Sequence, residues 1–120
     1  MQSSNRFLLF GLPGMMSGQD KRHFHFKLIP PRPTFPYDMT KEEKELTDKH
    51  GVCCRQEFDA GKLLLYGPVM APQGAFGLGV LEVVDEAEAR RFGANDPSVR
   101  AGLQRFELHP MQVAASRARS

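Results

Sequence analysis

The sequence predicts an α+β sandwich: two helices on one face of a four-stranded, mostly antiparallel sheet. Three observations predict it. Apolar residues alternate over Arg22–Ile29 and again through residues 61–83, the two-residue period of a strand. Two other segments, Thr40-Lys41-Glu42-Glu43 and Asp85-Glu86-Ala87-Glu88, open with the acceptors and acidic groups that start helices. In chain order the pieces read strand, helix, strand, strand, helix, strand, an order that lets each apolar face be covered by another layer.

The first strand places Phe24, Phe26 and Leu28 on one face and His23, His25 and Lys27 on the other, so it is half-buried. Pro30-Pro31-Arg32-Pro33-Thr34-Phe35-Pro36 cannot be helix or central strand, and reads as an extended, stiff connector presenting Arg32 and Phe35 in fixed positions. Thr40 begins the first helix. Its hydroxyl can accept from the Glu43 amide while the Glu43 carboxylate returns a bond to the Thr40 amide. The helix is expected to run to about Ala60, with Gly61 as a positive-φ stop. Its apolar stripe is Leu46, Cys53, Cys54 and Phe58, and His50 falls inside that stripe, one turn from Leu46 and one from Cys54. Gly51 beside it costs roughly 1 kcal/mol of helix stability relative to Ala.

Residues 61–83 form the hairpin around which the chain is organised. Leu63 and Leu65 are expected on one face and Leu64 and Tyr66 on the other, so both faces look buried. Gly67-Pro68 is expected to stop the first strand, because Pro68 cannot donate to the ladder. Pro72-Gln73-Gly74 supplies the turn. The return strand sets Phe76, Leu78 and Val80 against Gly77, Gly79, Leu81 and Val83. Two glycines on one face fit either tight packing against a helix or subunit, or the floor of a ligand site.

The second helix has acidic residues in its first turn and Arg90 and Arg91 toward its end, matching the macrodipole. Ala89 and Phe92 face the sheet, and Gly93 and Asn95 are expected to end it. Asp96 then caps a short turn opened by Pro97 and closed by Gly102. Residues 103–111 form the last strand, with Phe106 and Leu108 inward and Arg105, Glu107 and His109 outward. The whole is a ferredoxin-like βαββαβ sandwich. Its second sheet face carries Leu64, Tyr66 and other apolar groups with no helix left to cover them, so a second copy of the chain is the expected cover.

At 120 residues the chain can build one core without staples. A net charge of +2, interleaved with acidic groups, argues against a nucleic-acid partner. No apolar run is long enough to cross a membrane as a helix. Cys53 and Cys54 are adjacent, so on a helix their side chains diverge by about 100°. That disfavours a disulfide or a two-thiolate metal grip; they read as small core residues in a reducing, cytoplasmic compartment. Residues 1–20 include Phe7-Leu8-Leu9-Phe10, loosely like a signal peptide, but lack an Ala-x-Ala cleavage site and contain Pro13-Gly14. They read as a flexible extension before a domain at 21–111, and 112–120 reads as a disordered tail.

No serine elbow and no phosphate-cradling glycine loop is present, since Gly77-Leu78-Gly79 lies within a strand. His23, His25, Glu107 and His109 could converge on a transition metal if their strands pair, but strand alternation alone produces such polar rows. No metal and no cofactor is therefore expected.

Several stretches together resemble the YCII-related family of small dimeric α+β proteins. They are Lys27-Leu-Ile-Pro-Pro-Arg-Pro-Thr-Phe35, Asp38-Met-Thr-Lys-Glu-Glu43, His50, Gly67-Pro-Val69, Gly77-Leu-Gly-Val-Leu-Glu-Val83 and Asp96-Pro97, within residues 22 to 111. The resemblance implies a ferredoxin-like fold, a homodimer joined through its sheets as a dimeric α+β barrel, and a pocket holding a His and an Asp. These two map onto His50 and Asp96 as a catalytic acid–base pair, with Arg32, Gly67 and Pro68 as substrate-binding positions. The family is associated with elimination-type chemistry on small cyclic compounds. Where such proteins often place a bulky aromatic after the histidine, this chain has Gly51-Val52-Cys53-Cys54, which opens or reshapes the pocket wall.

A carboxylate beside an imidazole fixes its tautomer and leaves the other nitrogen to exchange a proton near neutral pH. Taken singly, His50 reads as a satisfied core histidine and Asp96 as a helix cap. Two function classes follow: an enzyme in which His50 abstracts a proton from a small cyclic or carbonyl substrate, or a homodimer that binds a small metabolite without turnover. A structural dimer with a vestigial pocket is a third.

Overall fold

The structure is a computed structural model describing residues 20–117. Its sheet is centred on strands β1 (Arg22–Ile29) and β3 (Gly74–Val83), with β2 (Leu63–Ala71) and β4 (Arg105–Met111) at the edges. The order is β2-β3-β1-β4 and every pair is antiparallel. Helices α1 (Lys41–Asp59), α2 (Glu86–Asn95) and the one-turn α3 (Pro97–Arg100) complete the α+β, ferredoxin-like arrangement. The extension expected at 1–20 and the end of the tail lie outside the described residues; 112–117 form neither helix nor strand.

Strand alternation creates the core. Phe24, Phe26 and Leu28 of β1 pair across the sheet with Leu81, Gly79 and Gly77, and on the other side with Pro110, Leu108 and Phe106. These residues share the helix-facing side, where Phe24, Leu63, Leu81, Val83, Cys54 and Ala89 are buried. Phe26 packs between Phe92 and Phe106, its ring edge-on to the first at 5.0 Å and stacked on the second at 5.4 Å, geometries that aromatic quadrupoles favour. Gly93 was expected to end α2. It lies inside the helix instead and is buried, because a Cβ there would sit 2.7 Å from the Phe106 ring.

Three strand expectations are corrected. Leu63 pairs with Leu81 but Leu65 pairs with Val80, so a bulge at Leu64 shifts the register by one residue. Leu65 is therefore turned to the open face, 53% exposed, and Tyr66 to the helix side, where it meets Phe58 edge-on. Gly67-Pro68 does not end β2, which continues to Ala71. Pro68 is tolerated because β2 is an edge strand and its missing N–H interrupts no second ladder. The last strand starts at Arg105 rather than 103.

The connector after β1 is not extended. It folds into successive turns, with the Phe35 amide donating to the Arg32 carbonyl and the Tyr37 amide to the Thr34 carbonyl. Its anchor is Arg32, whose guanidinium donates to both Glu43 carboxylate oxygens at 2.9 and 2.7 Å and to Asp38 at 3.0 Å. Glu43 also completes the capping box of α1: Thr40 Oγ1 accepts from the Glu43 amide and Glu43 accepts from the Thr40 amide. These bonds, the one from Arg32 foremost, hold the Glu43 carboxyl at about 2, well below its ordinary value. One acidic side chain thus ties the connector to the start of α1, with Gly61 (φ +83°) following the helix's other end.

Candidate functional site

Because Gly77 and Gly79 carry no side chain and lie on the helix side of β3, α1 and the sheet leave a space between them. It is a cavity of about 360 Å³. The connector contributes Phe35 and Pro36, α1 contributes Thr47, His50, Gly51 and Cys54, and β2 contributes Leu63, Tyr66, Gly67 and Pro68. Phe26, Leu28, Ala75, Phe76, Phe92 and Gln104 close the rest. The two glycines are also closely packed, since a Cβ on either would lie 3.1 Å from Leu28 or Leu63. Those close contacts come from the neighbouring strands β1 and β2 and not from a helix or a second subunit. A Cβ on Gly51 would meet nothing within 4 Å, so the wall next to His50 is open.

His50 is carried on α1 at the cavity wall, and its Nδ1 is hydrogen-bonded to Asp96 Oδ2. Asp96 sits at the junction of α2 and α3, only 1% exposed. Its other oxygen accepts from the Ser98 amide at 2.8 Å and the Ser98 hydroxyl at 2.6 Å. Burial by itself would raise this carboxyl, but the bonds from His50 and Ser98 outweigh it and hold the group below its ordinary value. Asp96 is thus both a helix cap and the partner of the imidazole, so the two readings of this residue are compatible. With Nδ1 engaged, Nε2 is the ring nitrogen left for other chemistry.

One turn further along α1, the Cys54 sulfur lies 3.6 Å from His50 Nε2 and 3.7 Å from Nδ1. Burial, and then the Asp96 charge, push its thiol up to about 12, so it is a protonated, apolar wall group. Cys53 points elsewhere and does not line the cavity; both cysteines are free.

Of the residues expected at the site, the fold brings His50, Asp96, Gly67 and Pro68 together. Arg32 is held apart from them: it does not line the cavity, and its donors are taken by Asp38 and Glu43. Sequence reasoning missed Ser98, although a hydroxyl two residues after an N-cap Asp is a recognisable turn signal. It also missed the approach of Cys54 to His50, which their one-turn spacing made legible. Of the aromatic walls, Phe35 was expected only as a residue presented by the connector, and Tyr66 was expected on the opposite sheet face. His23, His25, Glu107 and His109 do not gather: His23 pairs with Glu82 at 3.0 Å, and His25 stacks on His109 at 6.3 Å.

The YCII-related domain model matches residues 24–112, nearly all of the described fold. The chain belongs to the YCII-related family. No curated protein matches it. Among the described residues no helix is long and apolar enough to cross a membrane.

Proposed function

We propose that this YCII-related protein is a small-molecule enzyme of acid–base type, with lyase- or hydrolase-like chemistry. His50 is its base and Asp96 the residue that positions that base. The observation that carries the reading is the engagement of His50 Nδ1 by a buried, doubly anchored carboxylate at the wall of an apolar cavity. His50 Nε2 takes a proton from a carbon next to a carbonyl or leaving group, the released electron pair forms the new double bond, and the leaving group departs. Asp96 stabilises the imidazolium that results. The cavity's size and its mostly apolar lining suit a small cyclic or carbonyl compound with a largely apolar body.

The test is to screen such compounds for binding by thermal shift, then to assay the hits for turnover in the presence of a chelator. His50→Gln should still bind the hit and lose roughly 10²–10⁴-fold in turnover. Equal turnover in that variant would sink the assignment.

A second reading, a metabolite-binding homodimer without turnover, is favoured by one observation. None of the described lining residues is Lys, Arg, Asp or Glu, so no cation stands ready for a developing oxyanion. A ligand recovered unchanged after long incubation would select it. In either case we propose a homodimer joined through the open sheet faces, where Leu65, Val69, Phe76, Leu78 and Val80 form an apolar surface. The two free cysteines suit a reducing compartment, which supports a cytoplasmic location.

A further inference from the structure

We propose that Gln104 is the specificity-determining residue of the cavity: its carboxamide N–H donates to a ligand carbonyl oxygen, and the ligand it selects is an uncharged cyclic carbonyl compound. The inference rests on the reading of the cavity as a small-molecule site, and it depends on no turnover.

The first argument is placement. Phe106 and Leu108 of β4 face the helices, and two-residue alternation carried back from them puts Gln104 on the same side. A position of that parity ordinarily holds an apolar residue, yet here a carboxamide lines an apolar cavity. The turn that delivers it is the one that fixes the histidine. Gly102 (φ +77°) reverses the chain, and the Gln104 amide donates to the Ser98 carbonyl at 3.1 Å. Ser98 holds Asp96, and Asp96 holds His50 Nδ1. Gln104 and His50 are therefore positioned by one hydrogen-bonded chain on the wall of one cavity.

The second argument is which donors are left. The Thr47 hydroxyl already donates to the Glu43 carbonyl at 2.9 Å. The Cys54 thiol is a weak donor, and Tyr66, 39% exposed, can bond to water. Among the described residues only the backbone of Gln104 is engaged, so its side-chain N–H groups have no protein acceptor. A half-buried amide in apolar surroundings is costly unless something accepts from it, and a ligand carbonyl does so. A neutral donor of this kind also serves an oxygen that gathers negative charge during proton removal, the role for which the lining offers no cation.

The third argument is charge. The lining holds no Lys or Arg, and the Asp96 carboxylate stands directly behind the imidazole. The His50–Asp96 pair thus carries one negative charge when the ring is neutral and none when it is protonated. A carboxylate ligand would lose its hydration and meet no counter-charge, whereas a lactone or ketone meets the Gln104 donor.

Three probes of similar size test this by calorimetry on the full-length protein: coumarin, 2H-chromene, which lacks the carbonyl oxygen, and the anion cinnamate. Wild type should bind coumarin roughly 2- to 10-fold more tightly than chromene, the range of one neutral hydrogen bond, and cinnamate more weakly than coumarin. Gln104→Leu should bind both neutral probes alike, with chromene affinity retained as evidence of an intact cavity. Tyr66→Phe should keep the preference for coumarin. In wild type, the side-chain amide resonances of Gln104 should move with coumarin and stay in place with chromene, a readout that needs no variant. Failure of coumarin to bind, cinnamate binding as tightly as coumarin, a preference that survives Gln104→Leu or vanishes in Tyr66→Phe, or unmoved Gln104 amide resonances would each overturn the proposal. His50→Gln should keep the preference for coumarin, so the acid–base reading and this one can fail separately.

Discussion

At the scale of single residues, Asp96 does more than its sequence position suggests. A carboxylate 1% exposed is costly unless its lone pairs are filled, and here His50 and both donors of Ser98 fill them. Its folded-state pKa is depressed, so its stabilising contribution is fully present above the ordinary carboxylate range. That contribution is lost as pH falls through the lowered folded value. The wild-type protein should therefore be more stable than Asp96→Asn at neutral pH, with the gap closing on acidification. Urea midpoints for both proteins across a pH series measure this; the other carboxylates are common to both and cancel. In the same variant the ¹⁵N shifts of the His50 ring should report a changed tautomer mixture, since the acceptor that fixes the Nδ1 proton is weakened. Unchanged ring shifts would mean that the two side chains are not partners.

At the scale of elements, what the sequence makes legible is what local chemistry specifies. The capping box of α1 was readable because two residues three positions apart carry it, and Thr40→Ala should cost roughly 1 kcal/mol by leaving the Glu43 amide without its acceptor. Chemical denaturation measures that loss, and binding of any cavity ligand should barely change. The bulge in β2 was not readable. Leu63, Leu64 and Leu65 are equally apolar, so nothing local says which of them leaves the alternation, and the shift turns Leu65 and Tyr66 to faces opposite those expected. Pro68 misled for a related reason: whether a proline ends a strand depends on whether the strand is at the edge, a property of topology. Gly93 is a similar case, a helix interior glycine demanded by a ring from β4. Gly93→Ala would drive a methyl group into Phe106, which is stacked on Phe26, and should destabilise the protein by about 1–3 kcal/mol. A melting temperature equal to wild type would show that the ring can move aside.

At the scale of the whole molecule, the His50–Asp96 contact joins residues 46 positions apart, and no periodicity foretells it. It was expected because a family resemblance named both residues; the cavity beside it follows only once α1 is laid over Gly77 and Gly79. The open sheet face poses the remaining physical problem. The helices cover the side bearing Phe24, Leu63 and Leu81, while Leu65 stands 53% exposed on the other side with Val69, Phe76, Leu78 and Val80 around it. Polar cover there is partial: Lys27 reaches over the Phe76 ring at 4.5 Å, and His23, His25, Glu107 and His109 occupy the β1–β4 half. A surface apolar at one end and charged at the other can be covered by a symmetric copy, which sets one apolar half against another. The wild-type protein should therefore sediment as a dimer at micromolar concentration. Leu65→Glu places a charge in the middle of the apolar half and should shift it toward monomer, with its circular dichroism unchanged because that side chain takes no part in the core. A stable wild-type monomer under those conditions would leave the apolar half exposed to water, and the proposed interface would have to be abandoned.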